Sequence, residues 1–122
     1  MDLKFLDTYA LIEISKGNPK FIHFIETDFF ILDLILAEFY SVLLREQNEE
    51  TADLWYKKLE SYTERASLSI LINAVKYRDM HKKENLSFFD CVGYIFAKEN
   101  NMKFVTGDKQ FANREGVVFI KK

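Results

Sequence analysis

Short apolar runs alternate along the chain with longer segments in which apolar residues recur at helical spacing. The short runs predict buried strands, because a strand that is covered on both faces reads as a continuous apolar stretch. The predicted strands cover residues 3–6, 29–32, 66–70, 103–106 and 117–120.

The segments between these runs predict helices. Asp7, Asp33 and Ser87 stand where an N-cap residue is favoured. Pro19 suits a first helical turn, and Gly17 suits a helix end. The predicted helical segments are residues 9–16, 20–26, 34–45, 48–62, 71–83 and 88–100, with a helical turn at 108–112. Since strands and helices alternate, the order predicts an α/β fold with a mostly parallel sheet.

The length of 122 residues and the hydrophobic content of 48% predict one domain, residues 1–122, with a real core. A formal net charge of -2 is weak evidence for or against a nucleic-acid ligand. The single cysteine, Cys91, excludes an internal disulfide. His23 and His81 are isolated, which argues against a zinc cluster.

The N-terminus shows no basic segment followed by a long apolar core, so a signal peptide is not expected. The most apolar stretch, residues 29–44, is interrupted by Asp33 and Glu38 and is shorter than the roughly 20 residues that a membrane span needs. We therefore expect a soluble, cytoplasmic protein without a membrane partner.

Acidic residues fall where α/β proteins usually place their chemistry. Asp7 follows the first predicted strand, Asp108 follows the strand at 103–106, and Asp90 lies in the first turn of the helix that opens at Ser87. In open parallel sheets, ligands bind beyond the carboxyl ends of the strands. Glu38 lies inside a helix that is apolar nearly all round, and a buried carboxylate is costly unless it is paired or bound to a metal.

Each acid also has a purely structural explanation. Asp7 and Asp108 suit N-caps, and Ser87 with Asp90 resembles a capping box. Glu38 has no cation one turn away on its own helix, since Arg45 is two turns on. Capping requires no convergence and leaves Glu38 unexplained, so the four acids together favour one shared site.

The chain resembles the PIN-domain family over essentially its whole length. Four segments carry the resemblance, in order and at family-like spacing. They are Phe5-Leu6-Asp7-Thr8-Tyr9-Ala10-Leu11-Ile12-Glu13, Leu36-Ala37-Glu38-Phe39, Leu86-Ser87-Phe88-Phe89-Asp90-Cys91-Val92-Gly93-Tyr94-Ile95-Phe96-Ala97 and Phe104-Val105-Thr106-Gly107-Asp108-Lys109-Gln110-Phe111.

The resemblance implies a three-layer α/β/α sandwich and cleavage of RNA that depends on Mg²⁺ or Mn²⁺. It implies that Asp7, Glu38, Asp90 and Asp108 are the catalytic, metal-binding acids. Thr8 and Thr106 match positions where hydroxyl residues support the acids, although ordinary turn and cap bonding would also explain them. Many small members are VapC-type toxins, so the resemblance also implies an antitoxin partner and a homodimer. Tyr9 and Cys91 depart from the residues most frequent at their positions, which bears on substrate fit more than on the metal site.

The wider binding surface is less defined. Candidate phosphate contacts are Lys16, Arg45, Lys82, Lys83 and Lys109, of which only Lys109 lies beside an acid motif. Tyr9 is a candidate base-stacking residue at the pocket rim. An exposed partner-binding patch is one interpretation of Trp55, Tyr56, Leu59 and Tyr62, and packing against the domain's own core is the other.

Two other functions compete with the nuclease. A catalytically silent PIN-fold module for binding or scaffolding would be free to lose its acids, and this chain keeps them. A phospho-acceptor receiver domain needs a supporting lysine at the end of a later strand, and the sequence Thr106-Gly107-Asp108 argues against it.

Overall fold

The computed structural model describes residues 2–121, and a five-stranded parallel sheet forms its centre. The strands are β1 (Lys4–Leu6), β2 (Phe29–Leu32), β3 (Thr63–Glu64), β4 (Lys103–Thr106) and β5 (Val117–Phe119), in the order β3-β2-β1-β4-β5. Because β1 and β4 are neighbours, their carboxyl ends lie side by side at one edge of the sheet.

Five α-helices lie within the described residues: α1 (Thr8–Ser15), α2 (Asp33–Glu46), α3 (Glu49–Leu59), α4 (Leu68–Met80) and α5 (Phe88–Glu99). Short 3₁₀-helices cover Ile22–Glu26, Glu60–Tyr62, Lys82–Glu84 and Lys109–Phe111. The predicted three-layer α/β/α sandwich with a parallel central sheet is confirmed.

The core is rich in phenylalanine, and this packing sets the position of α5. Phe5 of β1 stacks on Phe104 of β4 with ring centroids 5.8 Å apart. Gly93 of α5 lies directly against these rings, and a Cβ added there would come within 2.7 Å of the Phe5 ring. Without a side chain at position 93, α5 approaches the sheet closely and carries Asp90 toward the ends of β1 and β4.

The strand predicted at residues 66–70 is wrong. The Ser67 side chain accepts a hydrogen bond from the Ile70 amide at 3.2 Å and so starts α4. The apolar residues that follow therefore belong to a helix. The third strand lies earlier, at Thr63–Glu64, where it pairs with the end of β2.

The interior of α2 is less buried than its composition predicts. Ala37 and Ser41 are exposed, and Glu38 is half-buried rather than fully enclosed. Asp33 is the first residue of this helix instead of its N-cap, and its Oδ1 accepts hydrogen bonds from the amides of Leu34 and Ala66. None of the helices within residues 2–121 has the length and apolar character needed to traverse a membrane.

Candidate metal centre

Two of the predicted acids follow the neighbouring strands β1 and β4. Asp7 comes directly after β1, and its backbone amide donates to the Val105 carbonyl of β4 at 3.3 Å. Asp108 lies two residues after the end of β4, and its amide donates to the Thr106 hydroxyl at 3.0 Å. Both aspartates are therefore fixed to the same edge of the sheet by hydrogen bonds from their backbone amides.

Asp7 is the most buried acid of the group, with a relative exposure of 1%. Its Oδ1 caps α1 by accepting from the Ala10 amide at 2.8 Å. Its Oδ2 is buried and has no hydrogen-bond partner among residues 2–121. The capping role predicted for Asp7 is thus real, but it uses only one of the two oxygens and leaves the other available.

Burial raises the pKa of Asp7 well above its usual range. The Thr106 hydroxyl and the Ala10 amide act in the opposite direction, since both stabilise the carboxylate. The nearby carboxyl groups of Asp90 and Asp108 raise the pKa further. Asp7 therefore shares one electrostatic environment with the acids of α5 and of the β4 end.

Asp90 lies in the first turn of α5 and faces the same space. Burial, followed by the charges of Asp108 and Glu38, raises its pKa to about 7. A hydrogen bond between the Asp90 and Asp108 carboxyl groups adds to the shift by favouring the protonated form. The Ser87 side chain makes no capping hydrogen bond, so the capping box predicted here does not form.

Glu38 reaches this group from α2 and is held by a threonine. The Thr8 hydroxyl of α1 donates to Glu38 Oε1. Thr8 follows Asp7 directly, so this bond ties α2 to the segment that carries the most buried acid. Both threonines that the sequence indicated therefore contact the acid group, Thr8 through Glu38 and Thr106 through Asp7 and Asp108.

The side chains as they stand do not form a finished metal site. Within residues 2–121, no three His, Cys, Asp or Glu side chains are arranged to hold a metal ion. The carboxylates are instead occupied by protein donors: Thr8 on Glu38, Ala10 on Asp7, and the Gln110 amide on Asp108 at 3.0 Å. A cation would have to draw the free oxygens toward itself.

The donor set nevertheless fits a hard divalent cation. Mg²⁺ and Mn²⁺ sites are built mainly from carboxylate oxygens and water. The orphaned Oδ2 of Asp7 and the raised pKa values of Asp7 and Asp90 both mark a place where negative charge lacks compensation. A divalent cation at this place would remove the mutual repulsion of the acids.

The other residues that the sequence indicated are more dispersed. Lys16, Arg45, Lys82, Lys83 and Lys109 are all exposed, and Lys109 is the one that follows Asp108 directly. Tyr9 is half-buried and lies against Gly107, so it does sit beside the acids. The predicted apolar patch is divided: Leu59 is buried and Trp55 packs edge-on against Phe39, whereas Tyr56 and Tyr62 are exposed.

Sequence reasoning missed Gly107, which lies beside the acids, and Arg114, which contacts Gln110 two residues after Asp108. Gly107 must lack a side chain because the Tyr9 ring lies over it, and its place within the Thr106-Gly107-Asp108 segment was the only available signal. Arg114 lies outside all four family-like segments. Its contacts depend on how the chain folds and not on its neighbours in sequence. Nothing in its local sequence distinguishes it from a surface arginine.

We expect the metal-free Asp90→Asn variant to be more stable than the wild type at pH 8, with a melting temperature higher by about 5 °C, the change that ~1 kcal/mol produces in a domain of this size. Asp90 has a folded-state pKa of about 7, above its ordinary value of 3.8. The folded state therefore holds this proton more tightly, and the wild type loses stability as pH rises between these two values. Thermal unfolding in chelator at pH 5 and pH 8 measures the effect, and the two proteins should differ least at pH 5. An equal difference at both pH values would contradict the assignment to Asp90 ionisation.

The PIN domain family model matches residues 4–117. No curated protein matches the chain. Among solved structures, the chain is similar to VapC20 of Mycobacterium tuberculosis, described as a toxin that cleaves the sarcin-ricin loop, with a TM-score of 0.77, 14% identity and coverage of 99% of this chain and 98% of that one. It is also similar to the DNA-bound VapBC of Salmonella typhimurium, with a TM-score of 0.76, 17% identity and coverage of 98% of both chains. A toxin-antitoxin complex from Klebsiella pneumoniae gives a TM-score of 0.74, 20% identity and coverage of 94% of this chain and 95% of that one.

Proposed function

Because this chain belongs to the PIN domain family, we propose that it is an endoribonuclease that requires Mg²⁺ or Mn²⁺. The observation that carries the proposal is the group of four acids, Asp7, Glu38, Asp90 and Asp108, gathered at one end of the sheet with a buried, unpartnered oxygen on Asp7. Structural caps alone do not explain that oxygen or the presence of Glu38.

In this proposal Asp7 Oδ2 is the central ligand, and the carboxylates of Glu38, Asp90 and Asp108 complete the site. A bound divalent cation would neutralise charge on the scissile phosphate and lower the pKa of the attacking water. The acids themselves would repel an RNA backbone, so the same cation would also make substrate approach favourable.

The supporting side chains act on the acids rather than on the substrate. Thr8 fixes the orientation of Glu38 through its hydroxyl. The Thr106 hydroxyl accepts a hydrogen bond from the Asp108 amide. It also stabilises the ionised form of Asp7, so one threonine acts on two of the acids. Tyr9, beside Gly107, is placed to contact a nucleotide that enters the site.

We also propose that the protein works as the toxin of a toxin-antitoxin pair; the homodimer that the PIN-domain resemblance implies stays a prediction. The support is the similarity to structures described as VapBC and toxin-antitoxin complexes, two of them bound to DNA. A neighbouring reading frame for a small DNA-binding protein with a disordered tail, and co-purification of its product, would test the pairing.

The enzyme is tested by RNA cleavage with Mn²⁺ in the millimolar range and with excess chelator. We expect cleavage with Mn²⁺ and its loss in chelator, with recovery when the cation is returned. Calorimetric titration of the same protein with Mn²⁺ should show binding. Absence of both binding and cleavage would instead favour the catalytically silent module.

A further inference from the structure

Arg114 joins the two segments that carry Asp90 and Asp108. Its Nη1 donates to the Tyr77 hydroxyl of α4, and its Nη2 pairs with Glu84 Oε1 in the 3₁₀-helix that precedes α5. Its Nε donates to the Gln110 carbonyl at 3.3 Å. All three nitrogens are therefore used, and the side chain is largely buried, with 14% relative exposure.

The neighbouring contacts reinforce this connection. The guanidinium lies over the rings of Phe111 and Tyr77 at 5.2 and 5.4 Å. The Gln110 side-chain amide donates to the Glu84 carbonyl at 2.7 Å. His81 binds the second carboxylate oxygen of Glu84 at 2.8 Å. Together these contacts form a clamp, which we define as Tyr77, His81, Glu84, Gln110 and Arg114.

The clamp contains residues that are close in sequence to Asp108 and residues that precede Asp90. Gln110 is two residues from Asp108, and its backbone amide donates a hydrogen bond to Asp108 Oδ1. Glu84 lies six residues before Asp90, in the middle of the connection between α4 and α5. The clamp thus fastens the segment after Asp108 to the connection that leads to Asp90.

We propose that Arg114 is a positioning residue that sets the spacing of Asp90 and Asp108 for the cation. This inference rests on the proposed function. The charge-assisted bond of Arg114 to Glu84 and its bond to Gln110 fix the segment after Asp108 against the connection that leads into α5, and so constrain where the two acids lie. Losing the clamp should leave the acids present but poorly placed, as happens when groups that orient metal ligands are removed.

The test is Arg114→Met, with Arg114→Lys as a milder variant that keeps the charge but loses the fork of donors. We expect the Mn²⁺ dissociation constant to rise about 10-fold for Arg114→Met. The Mn²⁺ concentration for half-maximal RNA cleavage should rise by a similar factor. Arg114→Lys should lie between wild type and Arg114→Met.

The direction in which the Mn²⁺ affinity changes distinguishes a positioning role of Arg114 from an effect of its charge. Removing a positive charge from the protein cannot, by Coulomb's law alone, weaken cation binding. Arg45→Met is the matched control, because Arg45 is exposed and, among residues 2–121, its ion pair is with the adjacent Glu46 at 3.6 Å. Unchanged or tighter Mn²⁺ binding in Arg114→Met and Arg114→Lys would overturn the proposal.

A second readout does not need the cation. Hydrogen exchange of the metal-free protein should be faster in Arg114→Met at the Gln110 and Phe111 amides, which both donate to Asp108. The Ala10 amide, which donates to Asp7, should be unchanged. If the wild type binds no Mn²⁺, the proposed function fails and the cation role of Arg114 falls with it. Unchanged exchange at Gln110 and Phe111 would refute the clamp by itself.

Discussion

The Asp7→Asn variant is expected to lose RNA cleavage by on the order of 10³-fold or more, the scale seen when a central charge-stabilising group is removed from an active site. Asparagine keeps the shape of the side chain and an oxygen that can accept from the Ala10 amide. It replaces the unpartnered Oδ2 with an amide NH₂ group, which is a hydrogen-bond donor and cannot ligate a cation. Calorimetry should show that Mn²⁺ binding is lost together with cleavage.

The same change should not unfold the protein. Burial and the nearby acids raise the pKa of Asp7, so the ionised side chain destabilises the metal-free fold. Removing that charge should raise the melting temperature in chelator, and a folded but inactive protein is the expected combination. Asp79→Asn is the matched control, because Asp79 is an exposed aspartate of α4 outside the acid group. Asp7→Asn with wild-type Mn²⁺ affinity would rule out the proposed ligand role.

The fold was predictable where burial alone determines the structure. The strands at Phe29–Leu32 and Lys103–Thr106 are short apolar runs that lie inside the sheet with a neighbouring strand on each side. Composition is therefore enough to find them. The strand β3 was not, because Thr63 and Glu64 carry no apolar signal at this edge of the sheet. The apolar residues after Ser67 indicate burial equally well for a strand or a helix, and the Ser67 cap decides between them.

The site was predictable as a set of positions but not as a geometry. Strand ends and helix starts identify Asp7, Asp90 and Asp108, because topology brings such positions together. The half-burial of Glu38 and its bond from Thr8 depend on how α2 packs beside α1, which local sequence does not specify. Arg114 depends on tertiary contacts with Tyr77 and Glu84, at separations of 37 and 30 residues.

The Gly107→Ala variant is expected to lower cleavage about 100-fold, the loss that a misplacement of ~1 Å at a reacting centre can cause. A Cβ at this position would lie 2.1 Å from Cε1 of Tyr9 and 2.6 Å from two further ring atoms. The half-buried Tyr9 ring packs against Phe21 on one side, which limits its movement in that direction. Either the ring or the backbone between Thr106 and Asp108 must move, and each change displaces a segment that carries an acid.

The free energy of unfolding of Gly107→Ala should be about 1–3 kcal/mol lower than that of the wild type, which is the usual effect of overpacking a protein interior. Chemical denaturation measures this fall, and Mn²⁺ calorimetry measures its effect on the site. The Tyr9→Ala single variant and the Tyr9→Ala/Gly107→Ala double variant complete a double-mutant cycle, because the added methyl group has no ring to strike once Tyr9 is truncated. Gly107→Ala should then cost little in the Tyr9→Ala background. An equal cost in both backgrounds would mean that backbone freedom at position 107, rather than the tyrosine ring, requires the glycine.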